Sequence, residues 1–242
     1  MALAGSLLFW AFMLLTSALL FPFALLIRGA TFPFDRRLVL LHLFSCFWAS
    51  LYTWCNPLWS VRITGKQHID RNAAYVMVSN HQSLVDILVL FRLFVHFKWV
   101  SKAENFRIPF VGWNMTLNRY IRIERGSIRG NLSMMRGAES ALHGGSSVMI
   151  FPEGTRSSDG RLGEFKAGAF ELALRSGQPI LPIALHGTAA ALPKRGFILR
   201  GKQKIHIQIL EPISPPWTPG TDAETLRSAA RERIAGAPGG PA

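Results

Sequence analysis

The sequence predicts an α/β domain, a mixed, largely parallel sheet flanked by helices, preceded by an N-terminal membrane-embedded two-helix segment. Three observations lead there. The long apolar runs of the 242-residue chain are concentrated before residue 60. From Val61 onward short apolar runs alternate with stretches of helical spacing, the pattern of strands crossing over through helices. Two runs rich in polar and charged residues each follow directly on such an apolar run, as site loops do at the carboxyl ends of strands. A chain of this length holds one core domain and an appendage.

Residues 6–27 (SLLFWAFMLLTSALLFPFALLI) carry no charge. At helical rise they measure about 30 Å, the depth of a bilayer core. A cleaved signal peptide is the other reading. It is opposed by the lack of Lys or Arg in residues 1–5 and by an apolar region longer than such peptides carry. Pro22 is a candidate kink. Arg28, Arg36 and Arg37 follow in a loop with Gly29 and Pro33. A second apolar run, 38–59, includes His42, Ser45, Tyr52, Thr53 and Asn56, with aromatic residues towards its end. That composition suits a helix lying in the interface, where Trp and Tyr rings settle. Two full spans would put the arginine loop and the basic domain on opposite sides, against the positive-inside bias. The expectation is a hairpin in one leaflet, or one span and one interfacial helix.

Beyond it, residues 74–79 (AYVMVS), 147–151 (SVMIF) and 180–185 read as buried strands, and the alternating 205–210 (IHIQIL) as an edge strand. Residues 84–94, 131–142 and 168–175 have helical spacing. The division expected is a membrane-anchoring segment 1–59, an α/β domain 60–235 and a disordered tail 236–242. No internal repeat is present.

The net charge is +13, and from Ser60 onward 24 Lys and Arg stand against 13 Asp and Glu. Such a domain suits nucleic acid, an anionic membrane or a phosphorylated substrate. Its attachment to apolar segments favours the membrane, and no nucleic-acid motif accompanies the charge. Cys46 and Cys55 form neither a disulfide framework nor a Cys-x-x-Cys metal signature, which fits a reducing compartment.

Three constellations carry chemistry. Asn80-His81-Gln82-Ser83-Leu84-Val85-Asp86 directly follows the strand AYVMVS. A turn between strand and helix can fold Asp86 back onto the imidazole, hold one ring nitrogen protonated and leave the other to take a proton. A capping Asn with a surface His and Asp is the plainer reading. Phe151-Pro152-Glu153-Gly154-Thr155-Arg156-Ser157 follows the next strand. There Gly154 allows close approach of a ligand to the backbone, and Arg156 offers a fork matching phosphate oxygens. An ordinary Pro-Gly turn with a solvated ion pair is the alternative. Between them lies a basic centre that includes Lys102, Arg107, Arg119, Arg122, Arg125, Arg129 and Arg136, either a phosphate pocket or a membrane-facing patch.

Taken together and in this order, these motifs resemble the glycerolipid acyltransferases, the 1-acyl-sn-glycerol-3-phosphate acyltransferase family. Asn80, His81 and Asp86 match its first signature and Arg125 its second, where Glu124 stands for the usual aspartate. Residues 151–157 match the third without change, and Leu181-Pro182-Ile183-Ala184 the fourth. The resemblance covers residues 60–215. It implies transfer of an acyl group from a thioester, acyl-coenzyme A or acyl-acyl carrier protein, to a lysophospholipid hydroxyl, with no metal or other cofactor. His81 would deprotonate the hydroxyl and Asp86 would orient His81. Lys102, or a backbone N–H near Gly154, would stabilise the oxyanion. Arg125 and Arg156 would hold the acceptor phosphate beside Thr155, and Glu153 would fix an arginine or a glycerol hydroxyl. The catalytic domain would sit at a membrane and face the cytoplasm, at the inner membrane in a bacterium. Ser83 lacks the glycine pattern of a nucleophile elbow. Lyso-ornithine lipid or lysophosphatidylglycerol as acceptor, and a non-catalytic membrane-associated binder, are the competing readings.

Overall fold

A computed structural model describes residues 2–157, 160–218 and 220–238. The chain opens with α1 (Ala2–Ala30), which starts before and ends after the apolar run and continues through Pro22. Only 11% of its most apolar stretch is buried, and it is long and apolar enough to cross a membrane. Its inward face is occupied along the whole helix. Ser6 Oγ accepts Leu199 N–H at 2.9 Å, Trp10 Nε1 donates to Phe197 O at 2.7 Å, and Phe21 packs on Phe110 and Trp113.

α2 (Val39–Trp54) begins where Asp35 accepts the free N–H groups of Val39 and Leu40, at 2.9 and 2.8 Å. One face of α2 is buried in the domain. His42 bonds Tyr120 Oη at 2.8 Å and Val95 O at 3.0 Å, while Cys46 and Ala49 join the main core. Leu40, Phe47 and Trp54 are what the helix leaves exposed.

The domain is a seven-stranded sheet. Its strands are β1 (Trp59–Thr64), β2 (Val76–Ser79), β3 (Phe97–Lys102), β4 (Ile121–Ile123), β5 (Ser147–Ile150), β6 (Ile180–His186) and β7 (Gln203–Ile209). The spatial order is β1-β7-β6-β2-β5-β3-β4. β6, β2, β5, β3 and β4 run parallel, β7 is antiparallel to β6, and β1 is parallel to β7. The sheet is therefore mixed and largely parallel. β2 and β6 are buried at nearly every position, which is why they read as continuous apolar runs.

The segment 205–210 is not an edge strand. β7 lies between β1 and β6, and the edges are β1 and β4. The alternation has another cause: Ile205, Ile207 and Ile209 enter the core while Lys204, His206 and Gln208 stay partly exposed or exposed on a face that is not fully covered.

Helices cover both sheet faces. On one side, with α1 and α2, lie α3 (Val85–Leu90), α4 (Val111–Leu117) and the short α7 (Thr188–Ala191). On the other lie α5 (Ile128–His143), α6 (Gly168–Ser176) and α8 (Ala223–Ala235). Met77 of β2 points to the first core, and Val76 and Val78 to the second. The helix expected over 84–94 is shorter, passing at Phe91 into a 3₁₀ turn that ends at Phe94 with φ 51°. Of the tail 236–242, Gly236 caps α8 and Ala237 is buried, and residues 239–242 lie outside the described residues.

Candidate active site

The five parallel strands end on one edge of the sheet. That edge carries Asn80–Asp86 after β2, Lys102 at the end of β3, Glu124 and Arg125 after β4, and Glu153–Arg156 after β5. The three motifs, far apart in sequence, thus converge at the place where parallel α/β sheets build sites.

The loop after β2 is anchored at its first residue. Asn80 Nδ2 donates to Leu185 O at 2.9 Å and Asn80 Oδ1 accepts Leu185 N–H at 2.8 Å, clamping the end of β2 to β6. Asn80 is 1% exposed, so both groups would otherwise be desolvated without partners. From that fixed point the chain turns into α3. Asp86, wholly buried in the first turn of α3, accepts the N–H groups of Gln82 and Ser83 through Oδ2, at 2.6 and 2.8 Å.

The same oxygen lies 2.8 Å from His81 Nδ1. Opposite a carboxylate, Nδ1 carries the proton, and Nε2 is left as a base. No described residue bonds Nε2, and the ring is 14% exposed. Phe151 stacks on the ring at 3.9 Å and 10°, with Trp99 behind it at 5.5 Å. The imidazole is held by a carboxylate at one edge and an aromatic face, with its basic nitrogen open. The surface pair suggested by spacing alone is not what forms.

Glu153 does something sequence reasoning missed. Its Oε1 accepts His81 N–H at 2.7 Å and its Oε2 accepts Gly163 N–H at 3.2 Å. No arginine among the described residues pairs with it. The side chain is nearly buried, and burial pushes its pKa above the ordinary carboxylate value, opposed by those two backbone bonds. Ser157 N–H donates to His81 O at 2.7 Å, a second tie between the two motifs.

Gly154 has φ 69°, a left-handed turn that favours glycine, and its N–H is committed to Phe151 O at 3.0 Å. It therefore does not serve as the oxyanion donor. The N–H groups of Thr155 and Arg156 are engaged by no described residue. The Lys166 ammonium lies 3.0 Å from where a Gly154 Cβ would stand, adding a cation that sequence reasoning passed over. Lys102 is half exposed, with Glu104 at 3.4 Å.

Arg156 is half buried and Arg125 exposed, and no described residue pairs with either. They are not equivalent. Arg156 follows β5, the neighbour of β2, whereas Arg125 follows β4, three strands away. At the usual strand spacing that is about 14 Å, so Arg125 must reach across β3 and β5. Ser83 is buried and donates to Leu192 O at 2.7 Å, which leaves its hydroxyl in structural use.

The sequence model of the family described as Acyltransferase matches residues 60–186, more than half of the chain. The chain belongs to the acyltransferase family. Among relatives, it is 34% identical over 236 residues to a 1-acyl-sn-glycerol-3-phosphate acyltransferase of Chlamydomonas reinhardtii, covering 95% of this chain and 68% of that one. It is 35% identical over 215 residues to the chloroplastic 1-acyl-sn-glycerol-3-phosphate acyltransferase LPAT1 of Arabidopsis thaliana, covering 88% of this chain. The chain spans 57% of that relative's length. The crystal structure of the 1-acyl-sn-glycerophosphate acyltransferase PlsC from Thermotoga maritima matches with a TM-score of 0.78, over 96% of this chain and 94% of that one. At 24% identity, that likeness establishes the fold. The acyltransferase family model takes in His81, Asp86, Lys102, Arg125 and Glu153–Arg156, and stops at His186, the last residue of β6.

Proposed function

We propose that the protein transfers a fatty acyl group from an acyl thioester to the sn-2 hydroxyl of a 1-acyl-glycerol-3-phosphate, giving phosphatidic acid. The observation that carries this reading is the 2.8 Å pairing of His81 Nδ1 with buried Asp86, which leaves Nε2 open at the mouth of the phosphate-suited loop. The relatives' names point to the same acceptor.

His81 Nε2 takes the proton of the acceptor hydroxyl as its oxygen attacks the thioester carbonyl. Asp86 holds the ring and stabilises the imidazolium that forms. The tetrahedral oxyanion is met by a free N–H of Thr155 or Arg156, or by Lys102. Collapse breaks the C–S bond, and the thiolate recovers the proton from His81 Nε2. Arg156 and Lys166 hold the acceptor phosphate, and Arg125 adds charge from across the edge. Glu153 orders the His81 backbone and does not itself touch substrate. No step calls for a metal or a cofactor beyond the thioester.

The acceptor arrives from the membrane. α1 is docked on the domain along its length and exposes Leu8, Leu15 and Leu19 outward. A helix held in this way lies in one leaflet beside the domain more readily than it stands free as a span. Arg28, Arg36 and Arg37 follow that helix, and by the positive-inside bias they place the leaflet, and the domain with it, on the cytoplasmic side.

The test is a purified full-length protein given a labelled acyl thioester and a panel of lysolipids, read out by lipid product. Phosphatidic acid from lysophosphatidic acid is expected. Preferential acylation of lyso-ornithine lipid or lysophosphatidylglycerol would reassign the acceptor, and no product from any would remove the reading.

A further inference from the structure

The Phe151 ring lies closer to His81 than aromatic packing requires. Its centroid stands 3.9 Å from that of the imidazole, and the two planes differ by 10°. Ordinary aromatic pairs keep roughly 4.5–7 Å between centroids. Trp99 lies behind Phe151 at 5.5 Å and 30°, so imidazole, phenyl and indole are stacked in that order.

The backbone sets this arrangement. β2 and β5 pair with Val78 opposite Ile150. Ile150 turns its side chain to the second core, so Phe151, next along the chain, turns to the first. Trp99 comes to the same side from β3, where it pairs with Met149. Phe151 O accepts Gly154 N–H at 3.0 Å, and the loop that follows is tied to the His81 backbone through Glu153 and Ser157. The phenyl ring is therefore held against the imidazole by strand pairing and loop bonds, whatever charge the imidazole carries.

That charge changes during the reaction. Asp86 meets the imidazole at its Nδ1 edge and Nε2 is open, which leaves the ring faces as the remaining places for support. As a free base the imidazole gains only packing from Phe151. Once it has taken the hydroxyl proton, it is a cation against the electron-rich face of a phenyl ring. The side chain is 14% exposed, so water screens this attraction little. An attraction that grows only as the proton moves raises kcat and leaves substrate binding alone.

We propose that Phe151 is a positioning residue whose ring face stabilises the imidazolium of His81 as acyl transfer proceeds. This rests on the acyl-transfer reading above and adds a second source of charge stabilisation, beside Asp86, at that same site.

The experiment uses the full chain in mixed micelles with lysophosphatidic acid and a palmitoyl thioester of coenzyme A or acyl carrier protein, whichever the wild type uses faster. Phe151 is replaced by mono-, di- and trifluorinated phenylalanine, which keep the ring's shape and draw electrons from its face. Phe151→Leu, which removes the ring, is run beside them. The kcat is expected to fall stepwise with each fluorine, ending between about fivefold and thirtyfold below wild type. Both KM values should stay within about twofold and Tm should stay level, while Phe151→Leu should lose at least as much kcat as the trifluorinated chain. A level kcat across the fluorinated chains would overturn the proposal, whatever leucine does, because the contact would then be packing alone. So would losses that appear in either KM or that follow a falling Tm. A wild type inactive with both thioesters on every lysolipid would instead contradict the acyl-transfer reading itself.

Discussion

The Glu153 carboxylate accepts the backbone N–H of His81 at 2.7 Å, so the second motif of the site positions the first. A glutamate in this place acts through the base it orders. Glu153→Gln keeps one acceptor but turns an amide N–H₂ towards one of the two backbone N–H groups. It is expected to lower kcat by about tenfold or more, since small displacements of a catalytic group are costly, with acceptor KM little changed. A rise in KM at constant kcat would make Glu153 a substrate-binding residue.

The same variant has a stability signature. Burial raises the folded-state pKa of Glu153, so the folded chain keeps this proton to higher pH than the unfolded chain. The contribution of that group is full below the ordinary carboxylate pKa and is lost as pH rises through the raised one. Glu153→Gln lacks the titration. Its Tm relative to wild type should therefore improve from about pH 4 to about pH 7, measured by thermal unfolding in detergent. A constant difference across that range would mean that burial does not penalise the charge.

A variant at Arg156 is expected to separate recognition from chemistry. Arg156→Ala should raise the KM for lysophosphatidic acid, by the roughly 1.5–3 kcal/mol that a charge-assisted bond contributes, and leave the donor KM unchanged. Lysine should rescue in part, because it keeps charge and loses the planar fork. An equal loss with a neutral monoacylglycerol as acceptor would show that Arg156 does not read the phosphate.

The N-terminal helices differ in what they contribute. Removing residues 1–34 strips the exposed apolar helix and leaves Asp35 to cap α2, so the remaining domain is expected to fold and to bind anionic vesicles weakly and in a salt-dependent way. Removing residues 1–59 also takes Cys46 and Ala49 from the core and orphans Tyr120 Oη and Val95 O, the partners of His42. That chain should be insoluble or several kcal/mol less stable, as judged by denaturant unfolding. Equal stability of the two truncations would place the domain boundary at residue 60, as the sequence leads one to expect.

How much of this was legible follows from burial. β2, β5 and β6 announced themselves because both faces are covered, and α5 and α6 because each buries a helical stripe. β1 and β4 are edge strands of mixed composition, and α8 buries only Leu226, Ala230 and Ile234, too sparse a stripe to stand out. His81 and Asp86 were readable because five residues and one turn join them. The Asn80 clamp on Leu185 and the Glu153 bond to His81 were not, because each depends on strand pairing between residues 105 and 72 positions apart. Lys166 reaches Gly154 only through the return of the loop, where its N–H bonds Pro152 O at 2.9 Å.

Asp86 should behave as the partner of an imidazole. Asp86→Asn removes the charge opposite His81 Nδ1 and allows the wrong tautomer, and kcat should fall by about a hundredfold or more. Retained activity would mean that the 2.8 Å contact is structural only.

The most direct measurement is acyl transfer by His81→Ala, with lysophosphatidic acid binding followed in parallel. A general base of this kind contributes a factor of about a hundred or more, so kcat should drop at least that far while acceptor affinity is kept. Near-normal turnover by His81→Ala would contradict the account, because no other described group at this edge pairs a buried carboxylate with an open ring nitrogen.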